Sequence, residues 1–457
     1  MKKLKVLVLV KPVGGEITPF DGAALEAALS LEGAEVTVLS MAPPAARDAL
    51  TALTRLGDLR VILLSDPLYA GSDTLATARI LCAALDRIPH DLIFCGRQST
   101  DGDTAQVGPC LAALRGVPAL TNAMEMPVLT GKTVSVRTRF GREKAPLPAL
   151  LTFERFTVLR APSIFSRARE IEIWDNRTVG ADPAVCGLEG SPTRVLEVKE
   201  NEGGRRSCRF IAPEELPALL KELSGRGAKE ELWPEAERKL PHIAVVGERP
   251  YRRAAAVAER VSVIRETEPE AILREVERLA PSAVLFPADL WGRRTAPALQ
   301  ARLGCGLCAD CTDLKTDGRT LFLYRPARSG NVIAKIVSSG LPLATVRCPE
   351  ASGDLIVAAG RGVAGELDRV QAFSDSLGAE FCCSRPLVDD GLLPYERQIG
   401  LTGRTVTPSV YLAVGISGAV RHTCAIENAG AVVAWNPDRS ARIFDCADYG
   451  IAAPFRW

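Results

Sequence analysis

Short runs of apolar residues alternate with helical patterns along most of the chain. The first third contains the runs KVLVLVKPV, AEVTVLSMA, DLRVILLSD and HDLIFCGR, each followed by apolar residues at helical spacing. These runs are continuous and do not alternate with polar residues, which is typical of parallel strands covered by helices on both faces. The pattern therefore predicts a doubly wound, parallel-sheet α/β domain over residues 1–175.

The strand–helix pattern breaks once and then returns twice. Residues 176–240 are dominated by Gly, Pro and charge, and we interpret them as an arm and linker. Residues 241–352 and 353–457 resume the pattern, so three doubly wound domains are expected. A shared order of strand, polar loop, Thr-Ala helix and strand predicts that the first two are pseudo-repeats, although generic βαβ units explain it nearly as well. The two matching stretches are LIFCGRQSTDGDTAQVGPCLAALRGVPALTNA and VLFPADLWGRRTAPALQARLGCGLCADCT.

Composition and charge narrow the classes of partner. The 457 residues are 47% hydrophobic and 24% charged, as in ordinary globular proteins. With 56 basic and 55 acidic side chains the net charge is +1, which gives no field to hold the chain on nucleic acid or an anionic membrane. No apolar run reaches the roughly 18 residues of a membrane span, and MKKLKVLVLV is too short for a signal peptide. Thirteen cysteines without an export signal favour reduced thiols in the cytoplasm.

Polar or glycine-rich turns follow several apolar strands in the last hundred residues. Because the carboxyl ends of neighbouring parallel strands meet at one crevice, these turns are expected to form one ligand site. Free N–H groups at the helix starts would bind a pyrophosphate there. The alternative is that the glycines only permit tight turns. The turns are Gly360-Arg361-Gly362, Ser384-Arg385, Gly400-Leu401-Thr402-Gly403, Gly415-Ile416-Ser417-Gly418 and Asn436, with Arg421 and His422 close by.

These turns lie within stretches that resemble the flavin domain of the electron transfer flavoprotein α subunit. The stretches are SRPLVDDG, RQIGLTGRTVTPSVYLAVGISGAVRH, AVVAWNPD and IFDCADYG. The resemblance implies a flavin-binding, Rossmann-like domain over residues 353–457 with FAD as its cofactor. The positions implied to bind FAD are Arg361, Ser384, Arg385, Thr402, Ser417, His422, Asn436 and Asp448.

The same resemblance implies a role for each group of residues around the flavin. Arg385 would pack over the isoalloxazine, and His422 and Ser417 would hydrogen-bond its pyrimidine side. The ADP portion would be held by Arg361, Asn436 and Asp448. Arg421 stands where the family usually has Gln, and this extra cation is expected to favour reduced, anionic flavin. No residue is expected to act as an acid or base catalyst, because the cofactor carries the chemistry.

The first domain looks like the β subunit of the same family, so the chain resembles a β-then-α fusion. The motif DGDTAQVGP is typical of electron-bifurcating members, which hold a second FAD where ordinary members hold AMP. From the residues themselves, Asp103 or Thr104 is expected to cap a helix facing a phosphate, with Gly108 allowing close approach, although a capping box without ligand is an alternative. By resemblance the second site also includes Lys11, Thr18, Met41, Asp73, Thr74, Gln106 and Val107.

The resemblance implies a carrier that passes single electrons between other redox proteins. The donor would be NADH, an acyl-CoA dehydrogenase-like protein or another flavin dehydrogenase, and the acceptor ferredoxin, flavodoxin or a quinone oxidoreductase. Electron bifurcation is a hypothesis that rests on DGDTAQVGP. A carrier with one FAD and one AMP, and an adenine-nucleotide-binding module without redox activity, are the alternatives.

Two further segments depart from simple expectations. The family's partner-docking loop carries an anchoring Leu, and Ala161 stands at that position, which predicts a different dehydrogenase or a different docking surface. Cys305, Cys308 and Cys311 have the spacing of an iron–sulfur binder, but a fourth ligand is missing. Thiols on an ordinary strand are therefore the simpler interpretation, and no metal site is expected.

Overall fold

The computed structural model describes residues 3–201, 204–223, 233–350 and 352–457. Its contacts divide the chain into two compact units. The first unit comprises Met1–Val198, Glu235–Arg328 and Ala334–Val346, and the second comprises Lys199–Pro234, Ser329–Ile333 and Arg347–Trp457. The first two predicted domains therefore belong to one unit, and the predicted arm is divided between both.

The strands are short, and most of them are buried. Among the described residues they are, in chain order, β1 (Lys5–Leu9), β2 (Pro12–Val13), β3 (Glu16–Ile17), β4 (Glu35–Met41), β5 (Arg60–Leu64), β6 (Leu92–Gly96), β7 (Ala119–Ala123), β8 (Val128–Thr130), β9 (Thr133–Thr138), β10 (Gly141–Pro146), β11 (Ala149–Phe153), β12 (Glu172–Trp174), β13 (Thr193–Glu200), β14 (Arg209–Phe210), β15 (Leu240–Val246), β16 (Ala258–Ile264), β17 (Ala283–Pro287), β18 (Leu307–Cys311), β19 (Asp313–Thr316), β20 (Leu321–Ala327), β21 (Val332–Ser338), β22 (Leu343–Val346), β23 (Leu355–Ala359), β24 (Glu380–Ser384), β25 (Gln398–Ile399), β26 (Val410–Val414), β27 (Ala431–Trp435) and β28 (Tyr449–Ile451).

The helices connect these strands and cover the sheets. No helix in the described part of the chain is long and apolar enough to cross a membrane. The α-helices are α1 (Pro19–Leu29), α2 (Arg47–Leu53), α3 (Thr74–Leu85), α4 (Val107–Arg115), α5 (Asn176–Val179), α6 (Leu216–Leu223), α7 (Tyr251–Val257), α8 (Pro269–Leu279), α9 (Leu290–Leu303), α10 (Leu367–Ser376), α11 (Arg385–Asp389) and α12 (Val420–Thr423).

The largest sheet of the first unit has the order β10-β9-β7-β11-β6-β1-β4-β5-β12. Strands β7 to β12 of this order are parallel, and only the β8–β10 edge is antiparallel. Successive residues of β1 enter opposite cores: Val6 and Val8 pack with helices α1 and α2, and Leu7 and Leu9 with α3 and α4. Both faces are therefore apolar, as the continuous runs predict.

A second parallel sheet of the first unit repeats the centre of the first. Its order β16-β15-β17-β22-β18 matches β4-β1-β6-β11-β7 strand by strand. Even an irregularity is repeated, because Asn122 in β7 and Asp310 in β18 both have positive φ. Their N–H groups donate to Thr152 and Thr345, at 2.9 Å and 2.8 Å. The predicted pseudo-repeat is confirmed, and its equivalent helices α4 and α9 pack against each other.

The parallel sheet of the second unit has the order β14-β28-β27-β26-β23-β24-β25. Its edge strand β14 comes from the segment that the sequence analysis interpreted as an arm, and it pairs with β28. Helix α6 follows β14, and its Leu216, Leu220 and Leu223 are buried in the same core as Phe373 and Trp435. A piece from the middle of the chain thus completes the C-terminal domain.

Candidate functional site

Five neighbouring strands of the second unit end at one edge of the sheet, which we call the flavin edge. The strands β27, β26, β23, β24 and β25 are adjacent and parallel, so their carboxyl ends lie side by side. The sequence-predicted residues at or just after these ends are Asn436, Ser417, Arg361, Ser384, Arg385 and Thr402. The structure therefore brings six of the nine predicted flavin residues to one edge, where open α/β sheets bind ligands.

Glycines allow the loops of the flavin edge to run against each other. Gly362 donates its N–H to Gly415 O at 3.0 Å, and Gly360 donates to Val414 O at 2.8 Å. A Cβ on Gly360 would lie 2.2 Å from Gly415 O, and one on Gly418 would lie 2.0 Å from Ile443 N. Main-chain packing therefore requires these glycines. They permit tight turns, as the alternative in the sequence analysis states, whether or not a ligand binds.

The arginines of this edge differ in their surroundings. The Arg361 side chain is 68% exposed, with its Nε 4.0 Å from Asp390. Arg385 is only 15% exposed, and its Nε lies 3.1 Å from Asp389 Oδ2. Arg421, on α12, is exposed. The two exposed guanidinium groups, of Arg361 and Arg421, suit an anionic ligand.

Thr402 is fixed by two side chains that the sequence analysis did not identify. Gln398 Nε2 lies 2.8 Å from Thr402 Oγ1, and the Tyr395 hydroxyl donates to Thr402 O at 2.7 Å. Both residues come from the segment between α11 and β26, in which Gln398 begins β25. Asn436 is fixed similarly, because its Nδ2 donates to Ile416 O at 2.9 Å. The loops of the flavin edge are therefore held by side chains as well as by glycines.

Two predicted flavin residues are not at the open surface of the flavin edge. His422 is buried in α12, and burial lowers its pKa to about 4, so the imidazole is neutral at pH 7. Asp448 precedes β28 and accepts from Val432 N at 2.8 Å, at the start of β27. It therefore lies at the amino end of the sheet, opposite the flavin edge, where it pairs with Arg206. The predicted contact of Asp448 with an ADP group at the flavin edge does not fit this position.

A large cavity lies in the first unit, and we call it the unit 1 cavity. Its volume is about 820 Å³, within the range of small-molecule sites. It extends from the carboxyl ends of β1, β4 and β6 to β18 and β20 of the pseudo-repeat. Seven of the nine residues predicted for the second nucleotide line it: Lys11, Met41, Asp73, Thr74, Thr104, Gln106 and Val107.

The other two residues, and the predicted cap, are placed differently. Thr18 caps α1, accepting from Asp21 N at 3.3 Å, and the buried Asp103 accepts from Gln98 Nε2 at 2.9 Å. Helix α4 begins at Val107 with Gln106 as its N-cap residue and no side-chain cap. The prediction that Asp103 or Thr104 caps this helix is therefore wrong.

Gly108 has a packing role that the sequence analysis did not predict. A Cβ there would lie 2.7 Å from Thr152 Cγ2 and 3.0 Å from Cys95 Sγ. The close approach that Gly108 permits is thus between helix α4 and the sheet beneath it. The first N–H groups of α4, which have no side-chain cap, remain next to the unit 1 cavity.

Several polar groups of the cavity wall were missed by sequence reasoning. Arg97 is buried at the end of β6, with its Nε 3.5 Å from Glu154, and Arg325 approaches from β20. Gln106 Nε2 and Arg325 Nε are buried and have no hydrogen-bond partner among the described residues. Buried donors normally find a partner, so a ligand with acceptor atoms in the cavity would satisfy these two.

Acidic groups also line this cavity. Burial raises the pKa of Asp21 to about 6. Hydrogen bonds from the N–H groups of Lys11 and Gly96 lower the pKa, but the effect of burial is larger. Asp73 caps α3 through the N–H groups of Leu75 and Ala76 and accepts from Thr193 Oγ1 at 2.6 Å. Asp73 therefore joins α3 to the start of β13, which is a structural role.

The cysteines of β18 show no arrangement suited to a metal. Burial raises the pKa of Cys305 to about 12 and also raises that of Cys311. Within the described ranges no group of three or more His, Cys, Asp or Glu side chains is placed to hold a metal ion. Cys382 and Cys383, on β24, are buried as well.

The segment that the sequence analysis compared with the family's docking loop exposes apolar side chains. Val158, Ile164 and Phe165 are 85%, 86% and 87% exposed. The segment is held on both sides of Ile164, because Arg160 pairs with Glu26 at 2.7 Å and Arg169 with Asp58 at 2.8 Å. Ala161 is exposed but small. The apolar tip is therefore formed by Ile164 and Phe165, which lie three and four residues beyond Ala161.

Comparison with known proteins places the chain in a family. The electron transfer flavoprotein domain matches residues 6–177 and 257–360, and the electron transfer flavoprotein FAD-binding domain matches residues 351–427. Because these matches cover more than half of its length, the chain belongs to the electron transfer flavoprotein family. The β-like and α-like parts follow each other in one chain, as the sequence analysis expected.

Individual relatives match separate parts of the chain. The electron transfer flavoprotein subunit beta of Clostridium acetobutylicum is 39% identical over 41% of this chain and 76% of its own length. The subunit alpha of Thermoanaerobacterium thermosaccharolyticum is 33% identical over 40% of this chain and 70% of its own length. A subunit of lactate dehydrogenase (NAD(+),ferredoxin), LctC of Acetobacterium woodii, is 34% identical over 38% of this chain and 53% of its own length.

Proposed function

We propose that this electron transfer flavoprotein holds two FAD molecules, one at the flavin edge and one in the unit 1 cavity, and bifurcates electrons from NADH. The size of the cavity, about 820 Å³, carries the proposal. FAD is AMP joined to FMN through a pyrophosphate, so AMP alone requires far less room. The cavity continues past the nucleotide-binding strand ends to Leu307 and Arg325, where a flavin ring would extend.

The polar groups of the unit 1 cavity fit a dinucleotide. The uncapped start of α4 suits a pyrophosphate, and the buried Arg97 adds positive charge beside it. Gln106 Nε2 and Arg325 Nε would donate to phosphate, ribitol or ring acceptors. Because its pKa is raised, Asp21 is mostly neutral below about pH 6. A neutral Asp21 would repel an anionic ligand less than a charged one.

The flavin edge fits the other FAD. The exposed Arg361 and the loop N–H groups suit the pyrophosphate, and Arg385 and Thr402 follow the neighbouring strands β24 and β25 of that edge. Ser384, Ser417 and Asn436 complete the proposed set, with Arg421 beside it on α12. Asp448 is left out because it lies at the opposite edge.

Bound FAD would supply the ability to take a hydride and to release single electrons. NADH supplies two electrons, of which one goes to a ferredoxin or flavodoxin and the other leaves through the C-terminal domain. The acceptor there is a flavoprotein dehydrogenase or a quinone oxidoreductase. The name of the Acetobacterium woodii relative contains both NAD(+) and ferredoxin. This name supports NADH as donor and ferredoxin as acceptor, and so favours bifurcation over a carrier with one FAD and one AMP.

Anaerobic mixing with NADH tests the function. We expect NADH to bleach the flavin absorption of the purified protein, and an added low-potential acceptor to be reduced at the expense of NADH only while an acceptor for the second electron is also present. Arg325→Gln is expected to slow bleaching at least tenfold, whereas the exposed Arg319→Gln leaves it unchanged. Flavins that stay oxidised with NADH but are reduced by dithionite would contradict bifurcation and favour the carrier with AMP.

We propose that the partner flavoprotein docks on Val158, Ile164 and Phe165. Fixed, fully exposed apolar side chains make good anchors because little ordering is needed on binding. Replacing Ile164 and Phe165 together by serine is expected to slow electron transfer to that partner at least tenfold, measured by stopped-flow absorbance. The flavin content stays unchanged.

The exposed Val128, on β8, provides a matched control for this surface. Val128→Ser is expected to transfer electrons at the wild-type rate. Equal rates in the docking variant and this control would place the docking surface elsewhere.

A further inference from the structure

Three basic side chains lie side by side on one face of the antiparallel strands β8, β9 and β10. Arg137 of β9 lies directly opposite Arg142 of β10, and Lys144 lies two residues further along β10, opposite Ser135. Because side chains alternate across a strand, all three belong to the same face, and all three are exposed. We call Arg137, Arg142 and Lys144 the basic face.

The other face of these strands is fixed to the body of the first unit. Val134, Val136 and Ala145 are buried in its hydrophobic core. On β10, Glu143 pairs with Arg294 of α9 at 2.7 Å. The backbone beneath the basic face is therefore held in place, and little ordering of the strands would be needed when a partner binds.

The cations of the basic face are only partly neutralised by the protein. Arg142 Nη2 lies 2.9 Å from Glu125 Oε1, whereas the side chains of Arg137 and Lys144 form no ion pair with another described residue. Residues 124–148 contain five basic and two acidic side chains, in a chain whose net charge is +1. Like charges directly opposite each other destabilise a sheet, and Arg137 and Arg142 form such a pair. Carboxylates of a bound partner would offset this repulsion.

A buried ion-pair network connects the same hairpin with the wall of the unit 1 cavity. Arg139, in the turn between β9 and β10, is 2% exposed and pairs with Glu154 at 2.8 Å. Arg97, which lines the cavity, lies with its Nε 3.5 Å from the same Glu154 oxygen. Glu154 thus links the turn to the cavity wall. Arg137 and Arg142 flank this turn, so the basic face begins close to the cavity.

We propose that the basic face docks a small acidic protein that carries single electrons, and that this protein is the low-potential acceptor. The inference rests on the proposed function. NADH supplies two electrons, of which the docked carrier takes one, while the other leaves through the C-terminal domain. The position beside the cavity wall suits this role, because electrons pass between proteins over short distances. Carboxylates on the carrier would match the cations and guide its approach.

Nucleic acid and anionic membranes fit the basic face less well. Both are bound by extended basic surfaces, because each phosphate contact needs a cation of its own. The basic face has three cations, and a net charge of +1 provides no wider attractive field. The charge distribution therefore favours a compact acidic protein.

Calorimetric titration of the purified protein with an acidic ferredoxin tests the inference without a redox step. The variant combines Arg137→Glu with Lys144→Glu. It is expected to fold, because Glu at position 137 faces Arg142 and replaces a repulsive cross-strand pair by an attractive one. We expect the variant to bind ferredoxin at least about tenfold more weakly than the wild type at low salt. The affinity of the wild type should fall as the salt concentration rises, since exposed charges are screened.

A matched control changes the net charge by the same amount elsewhere in the first unit. It combines Arg252→Glu with Arg274→Glu, two exposed arginines on α7 and α8, and should bind ferredoxin as the wild type does. Cytochrome c, a basic single-electron carrier, should not bind the wild type.

Equal ferredoxin affinities in the variant and the control would overturn the inference, as would a wild type that does not bind ferredoxin. Loss of RNA or phosphatidylserine vesicle binding in the variant, with ferredoxin binding unchanged, would assign the face to another partner and overturn it as well. Failure of the proposed function is seen separately, as flavins that stay oxidised with NADH. The titration then still decides whether the basic face binds an acidic protein.

Discussion

Replacing Gly418 by alanine is expected to abolish FAD binding at the flavin edge. Gly418 has φ of +86°, which costs an L-residue about 1–2 kcal/mol. An added Cβ would also lie 2.0 Å from Ile443 N and 2.4 Å from Arg442 C, both main-chain atoms that cannot turn aside. The loop that carries Ser417 must therefore move away from its neighbour. We expect FAD affinity to fall at least a hundredfold, measured by fluorescence titration of the FAD-free protein.

Gly365 provides the control for this prediction. It lies in the same domain without a positive φ, and its Cβ would meet nothing within 4 Å. Gly365→Ala should bind FAD as the wild type does. Normal FAD binding by Gly418→Ala would mean that the loops of the flavin edge do not form the site.

Replacing Arg206 by alanine is expected to destabilise the second unit by about 2–4 kcal/mol. The Arg206 side chain is 10% exposed and pairs with Asp448. Its Nη2 also donates to the carbonyls of Glu427 and Ala429, at 3.0 Å and 2.8 Å. Alanine leaves these acceptors and a half-buried carboxylate without their cation, and so it weakens the attachment of β14 and α6.

Chemical denaturation measures this effect, followed by the fluorescence of Trp435 in a background in which the other four tryptophans are replaced by phenylalanine. The control is Arg205→Ala, because Arg205 is the exposed neighbour of Arg206 and should change the free energy of unfolding by less than about 0.5 kcal/mol. If the two variants were equally stable, the arm segment would not be part of the C-terminal domain.

The sequence predicted the features that depend on local pattern. Continuous apolar runs such as KVLVLV gave parallel strands because both faces of each sheet are covered. The shared order of strand, polar loop, helix and strand pointed to the pseudo-repeat, now seen in the matched strand orders. The Thr-Ala pairs themselves are not equivalent, because Thr104-Ala105 precede α4 and Thr295-Ala296 lie inside α9. Glycine turns after β23 and β26 identified the flavin edge, because the carboxyl ends of parallel strands always lie on one side of a sheet.

Features that depend on distant partners could not be read from the pattern. The APEELPALLKELSG stretch looked like part of a linker, because its partners Phe373 and Trp435 lie far along the chain. Asp448 belongs to a motif of the flavin domain, yet the pairing of β28 puts it at the opposite edge. Arg325 lies far along the chain from most residues of the unit 1 cavity. It lines the cavity only because the second pseudo-repeat packs there.

The central claim is that the chain holds FAD in both places, and a count of released cofactors tests it most directly. The purified protein is denatured with acid, and the FAD and AMP in the supernatant are separated by chromatography and compared with the protein concentration. We predict two FAD and no AMP per chain. One FAD with one AMP would contradict the proposal for the unit 1 cavity, and a colourless chain that FAD cannot reconstitute would contradict the whole account.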